Sequence, residues 1–217
     1  MDPTLVSLVW IVAALFLEEP PLVLAEGMVR GQWNLPVPPD ANGKFAAALD
    51  ALRSFARSRL GSDAGQLHRQ LRQEFAALFV GPLPRTVHPY ESCYRDSLTV
   101  GDQTFRRLLM GESVDKVRSF WAEAGLQCID PHNYPPDHVG LELGFLARVG
   151  QEFLETGEKR HLGLARRFLE EHLLTWVPEF CAELYANETA RFYKPVAQLA
   201  DALLAILADR LDAGNGC

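Results

Sequence analysis

NYPPDHVGLELGFLARV, residues 133–149, is the stretch whose reading decides the fold. Pro135 and Pro136 allow a helix to begin and resist lying inside one. Asp137 behind them can cap exposed backbone N–H groups, and its charge suits the positive end of the helix dipole. Downstream, Leu143, Leu146 and Phe153 recur at helical spacing and Gly157 supplies a stop, which predicts the longest helix of the chain. His138, Leu141, Glu142 and Phe145 follow i, i+3, i+4 and i+7, so one face begins polar and turns apolar. A polar dipeptide at the mouth of an otherwise apolar helix is either a cap or a site.

Working outward, the same helical period returns on both sides. Leu5–Leu17, LVSLVWIVAALFL, is too short for the roughly 20 apolar residues that span a bilayer. Its leader carries Asp2 and no basic residue, and Glu18, Glu19 and two prolines follow, which argues against a signal peptide. It reads as a buried first helix capped by Thr4 and ended before Pro20, so no transmembrane segment is expected. Pro20–Pro39 reads as one short helix and a loop. Lys44–Leu60 is amphipathic, with Phe45, Leu49, Leu52 and Phe55 on one face, Asn42 as cap and Gly61 as stop. Gln66–Val80 repeats the pattern with Leu67, Leu71, Phe75 and Leu78, ended by Gly81-Pro82.

Gly81–Asp102 is the longest irregular stretch and reads as a loop, with the freedom of a hinge. Beyond it, Thr104–Met110 and Val114–Ala124 are expected as helices, followed by the loop Gln127–Tyr134. After the central helix come Lys159–Leu174, a Thr175-Trp176-Val177 bend, Pro178–Ala186, and Thr189–Leu211 with a kink or restart at Pro195. No segment alternates for more than a few residues, so no sheet is expected. The prediction is an all-α fold, residues 1–217 forming one helical domain with a hinge at 81–102.

Composition narrows the function. With 21 basic and 28 acidic residues the net charge is −7, which disfavours a nucleic-acid binder. Cys93, Cys128, Cys181 and Cys217 lie far apart with no CxxC pair, a pattern of reduced cytosolic thiols rather than a metal site. His138 beside Asp137 and Glu142 suggests a general base with a carboxylate. Yet adjacent helical residues point about 100° apart, so Asp137 is poorly placed to orient His138. No serine or cysteine carries a nucleophile context, and His138 with Glu142 supplies only two metal ligands. No catalytic residue and no metal ligand is assigned. GxGxxG and GxxxxGK[ST] are both lacking, so no standard nucleotide loop is present. Arg106-Arg107 and Arg166-Arg167 read as solvated helix faces.

Pro89-Tyr90-Glu91-Ser92-Cys93-Tyr94 is either a turn whose tyrosines tuck onto the core or a recognition loop, aromatics and a carboxylate suiting apolar and cationic side chains. This segment and Pro135-Pro136-Asp137-His138 together resemble the TorD/DmsD family of chaperones for redox enzymes. The first matches the family's P-[YW]-x-S-x-[YW] loop, and the second its P-x-D-H motif, continued here as Val139-Gly140-Leu141-Glu142-Leu143. LVWIVAALFLEEPP resembles the family's first helix, and FLEEHLLTWVPEF and ARFYKPVAQLADALL its last ones, so the likeness covers nearly the whole chain.

The resemblance implies a cytoplasmic helical chaperone rather than an enzyme. Its partner would be the twin-arginine leader, or the body, of an apo-molybdoenzyme catalytic subunit, held until the molybdenum cofactor is inserted. Pro135, Asp137 and His138 match family positions implicated in leader binding, and Pro89, Tyr90 and Tyr94 match the loop positions implicated with them. Tyrosines stand at 90 and 94 where some members carry tryptophan, which bears on partner choice. Arginine pairs with carboxylates in fork geometry. Asp137, Glu142 and Glu91 could supply these, with Tyr90, Tyr94 and Phe145 beside them. The rivals are a NarJ-type assembly chaperone for a leaderless, membrane-anchored redox enzyme, and a GTP-binding or hydrolysing protein. No cofactor is assigned beyond the weak GTP binding discussed for the family. The chain could act as a monomer or a helix-swapped dimer, which a hinge at 81–102 would permit.

Overall fold

The computed structural model describes residues 2–39, 41, 43–80, 86–100, 102–106, 109–128 and 134–213. Helices dominate: α1 (Pro3–Leu17), α2 (Leu22–Val29), α3 (Gly43–Arg57), α4 (Ala64–Phe75), α5 (Glu91–Arg95), α6 (Glu112–Glu123), α7 (Val139–Thr156), α8 (Lys159–Phe168), α9 (Leu174–Ala186) and α10 (Tyr193–Ala213). The all-α expectation holds.

α1 and α7 pack most extensively, and α10 lies against α9, α3 and α1. The α1–α7 crossing is close because Gly140 stands where a Cβ would lie 2.7 Å from Leu17 Cβ and 2.9 Å from the Ala13 carbonyl oxygen. The apolar run of α1 serves the core, with Leu5, Leu8, Val9, Val12 and Phe16 all fully buried. Among the described residues no single helix is long and apolar enough to cross a membrane, and α1 and α2 fold back on each other at 117°. At the centre, Phe16 meets Phe79, Phe180 and Tyr193, and the Tyr193 hydroxyl donates to the Leu15 carbonyl at 2.9 Å. Burial pushes that phenol well above its usual range, the carboxylates of Glu74 and Glu19 adding to the effect.

Several helix ends are capped from afar, and here local expectations needed correcting. Asp2, not Thr4, caps α1 by accepting the Thr4 and Leu5 N–H groups. The cap of α7 is His138, not Asp137, its Nδ1 accepting the Gly140 N–H at 3.1 Å. α10 begins at Tyr193 rather than Thr189, because Glu74 Oε1 on α4 accepts the N–H groups of Arg191, Phe192 and Tyr193. Pro195 therefore sits in its first turn, where no intrahelical donor is lost. α10, with 21 residues, exceeds the 18 of α7, so α7 is not the longest helix.

Part of the expected loop forms secondary structure. Residues 81–85 and 101 fall outside the described residues, as do the proposed Asn42 cap, the Gly81-Pro82 stop, Asn133, Arg107 and Cys217. The rest of the stretch holds α5 and strand β1 (Ser97–Val100), which pairs antiparallel with β2 (Gln103–Arg106). A strand therefore replaces the start of the helix expected over Thr104–Met110, and Arg106 does not lie on a helix face. All four residues of β1 are exposed, so the hairpin has no buried face to impose a clear alternation. The bend expected at Thr175–Val177 is instead helical. A π turn at Leu169–Leu173 joins α8 to α9, and α9 runs on through Pro178.

Candidate binding site

The two proline motifs, far apart in the chain, are clamped to each other. The Pro89 carbonyl accepts the Val139 N–H at 2.8 Å, and the Asp137 carbonyl accepts the Glu91 N–H at 3.0 Å, bracketing an antiparallel bridge between Tyr90 and His138. Asp137 Oδ2 accepts the Ser92 N–H at 3.0 Å and so caps α5 rather than its own helix. Asp96, at the far end of α5, in turn caps α6 by accepting the Ser113 N–H at 3.0 Å and its hydroxyl at 2.9 Å. A five-residue helix too short to persist alone is thus held at both ends.

His138 is packed between aromatics, stacked on Tyr134 at 4.8 Å and meeting the edge of Tyr90 at 5.1 Å. Because its Nδ1 accepts the cap hydrogen bond, a neutral ring carries its proton on Nε2. His138 Nδ1 accepts from Gly140 rather than donating to Asp137, so the aspartate-oriented tautomer that general-base chemistry would use is not set up.

Beneath this entry lies an acidic cluster. Glu91, Asp137 and Glu142 are each fully buried. Glu91 Oε1 meets Arg95 Nη1 at 2.6 Å, and its Oε2 meets His172 Nδ1 at 2.7 Å. Glu142 Oε2 accepts the Trp176 indole N–H at 3.1 Å. Tyr94 donates its hydroxyl to Glu183 at 3.1 Å while its ring lies 5.3 Å from that of Trp176. Burial holds the Glu142 carboxyl well above the usual carboxylate range, the charges of Glu91 and Asp137 push it further, and Trp176 opposes them. Asp137 is raised by burial too, against the hydrogen bonds from Ser92. Of these carboxyls, burial therefore favours the protonated form most strongly at Glu142.

All eight candidate residues come together, but not in one role. Tyr90, Tyr94 and Pro135 are half-buried and reach the surface; Pro89, Glu91, Asp137, His138 and Glu142 are buried. Phe145, expected beside the tyrosines, packs in the core against Phe168, 4.4 Å away. Tyr134, Arg95, His172 and Trp176 complete the site and were not singled out from the sequence. The spacing of Glu91 and Arg95, i to i+4 on a helix, was the one local signal available. Among the described residues no group of three or more His, Cys, Asp or Glu side chains is arranged to hold a metal.

Next to this entry a cleft of about 470 Å³ opens between α1 and α7, lined by Trp10, Leu17, Trp121, Leu141 and Gly144, with Glu18 and Arg148 also on its wall. Trp10 is 44% exposed, an uncommon fate for an indole on a core helix.

The structure is thus an all-α bundle with an aromatic entry over a buried carboxylate cluster. A model of the family described as nitrate reductase delta subunit matches residues 39–182, well over half of the chain, which therefore belongs to that family, in which the TorD and DmsD chaperones also stand. The chain is 27% identical over 139 residues to the chaperone protein TorD of Vibrio cholerae, covering 62% of this chain and 59% of that one. Against the TorD of Shewanella piezotolerans it is 27% identical over 157 residues, covering 71% and 67%. Against a probable Tat proofreading chaperone DmsD of Haemophilus influenzae it is 28% identical over 133 residues, covering 61% and 58%. The chain thus spans about three fifths of the length of the first of these relatives. All three are named as chaperones rather than enzymes.

Proposed function

We propose that this protein is a cytoplasmic chaperone that binds the twin-arginine leader, the body, or both, of an apo-molybdoenzyme, assists molybdenum-cofactor insertion and delays export until folding is complete. The observation that carries this reading is the juxtaposition of the aromatic entry at Tyr90, Tyr134 and Pro135, the carboxylates behind it, and the apolar cleft on α1 and α7. A leader offers two arginines and then an apolar stretch. Tyrosine faces suit guanidinium groups, and an indole-lined cleft suits the apolar residues. Of the eight residues, Tyr90, Tyr94 and Pro135 make direct contact. Pro89, Asp137, His138 and Glu142 position the loop, and Glu91 receives a cation. The Tat proofreading chaperone among the relatives supports a leader-bearing client. The family's nitrate reductase description favours a second reading, an assembly chaperone for a leaderless redox enzyme.

Capture of the apo-enzyme on immobilised chaperone, with the client's leader present or deleted, tests the proposal. Retention that depends on the leader supports the first reading. Equal retention without it supports the second, and no retention of either form removes both.

A further inference from the structure

Glu91 is a fully buried carboxylate, and such a group persists only with partners for its charge. Its two partners differ. His172, from the π turn, is 2% exposed, whereas the Arg95 side chain is 36% exposed. Arg95 Nη1 also donates to the Glu171 carbonyl at 2.7 Å, so a carboxylate oxygen and a main-chain carbonyl converge on one guanidinium nitrogen. That acceptor set receives a cationic nitrogen with two N–H donors, and its present occupant is a guanidinium. Among the described residues, the buried Asp137 Oδ1 accepts no hydrogen bond.

Arg95 can leave without dismantling the loop. α5 is held by its backbone N–H groups at Glu91 and Ser92, both bonded to Asp137, and neither contact uses the Arg95 side chain. Exchange of one arginine for another keeps the buried Glu91 charge paired and so costs little, whereas loss of Arg95 with nothing in its place leaves that charge short of a partner. Tyr94, next to Arg95 in the chain, donates its hydroxyl to Glu183, and Glu171 is itself exposed.

We propose that Glu91 and the Glu171 carbonyl form a guanidinium-binding site that Arg95 keeps filled until an arginine side chain of the client's leader displaces it. This rests on the leader-binding reading for its occupant, not for the site. Arg95 is a placeholder: it keeps the buried charge satisfied in the empty chaperone and makes an incoming arginine compete with it.

The test is Arg95→Ala, with Arg95→Gln as the milder variant should the first fold poorly. Thermal melting is followed with low-millimolar L-argininamide or L-lysinamide, beside calorimetric titration with a twin-arginine leader peptide. The variant should melt below wild type, recover with argininamide and not with lysinamide, and lose that recovery when Glu91→Gln is added. Its leader affinity should rise by about three- to tenfold, the scale of one partly screened charge-assisted hydrogen bond. Equal recovery with both amides, or recovery that survives Glu91→Gln, overturns the site. Equal leader affinity in wild type and variant overturns the placeholder while leaving leader binding intact. Selective argininamide recovery with no leader bound by either protein upholds the site and removes the leader reading instead.

Discussion

Replacing Asp137 by alanine removes the acceptor of the Ser92 N–H and uncaps α5. A lost cap costs about 0.5–2 kcal/mol. Asparagine, which caps nearly as well, should recover most of that in urea unfolding; an alanine variant as stable as wild type would show the clamp to be slack. Glu142 tests the cluster through pH. Its carboxyl is raised in the folded protein, so folding favours its protonated form. That contribution is complete below the unfolded value near 4.5 and is lost as pH rises through the folded one. Asp137 is raised too and acts in the same sense. Glu142→Gln, which keeps an acceptor for Trp176, should therefore lose less stability than wild type between acid and mildly alkaline pH. Its melting temperature should exceed that of wild type at the alkaline end. Parallel pH profiles for the two proteins would place the proton on another group.

At the scale of elements, the α1–α7 crossing sets the position of both cleft and entry. Gly140→Ala would drive a methyl group into Leu17 and the Ala13 carbonyl, so α1 must shift, at a cost of about 1–3 kcal/mol. Gly144→Ala meets only Trp10 Cζ3 at an ordinary 3.7 Å and should be neutral or slightly stabilising through helix propensity. Chemical denaturation of the two variants separates these outcomes, and equal midpoints would contradict the close crossing. Much at this scale was legible in advance. The apolar stripes of α3 and α4 and the buried run of α1 follow from periodicity, and the Gly157 stop at φ 70° from glycine chemistry. The caps were not, because Glu74 reaches α10 and Asp137 reaches α5 across more than 40 residues of chain. No local pattern records such reach. The π turn at Leu169–Leu173 was equally hidden, since it lets the helix run on toward Pro178 where proline alone suggests a bend.

Across the whole molecule, the sequence brought the eight site residues to one place but misjudged how open they are. Helical spacing shows that the α7 face begins with polar residues. It does not show that residues 89–95 fold over them and bury Glu91, Asp137 and Glu142. In the proposed function this burial becomes a division of labour, with tyrosines and Pro135 at the surface, carboxylates beneath, and a cleft on α1 and α7. The most direct test is calorimetric titration of wild type and Tyr90→Ala with twin-arginine leaders of the same genome's molybdoenzymes, beside lysine-substituted controls. The account predicts saturable binding of one leader, lost when its arginines become lysines and weakened by Tyr90→Ala with helical content unchanged. No binding by any leader, or equal binding of the lysine control, would contradict it.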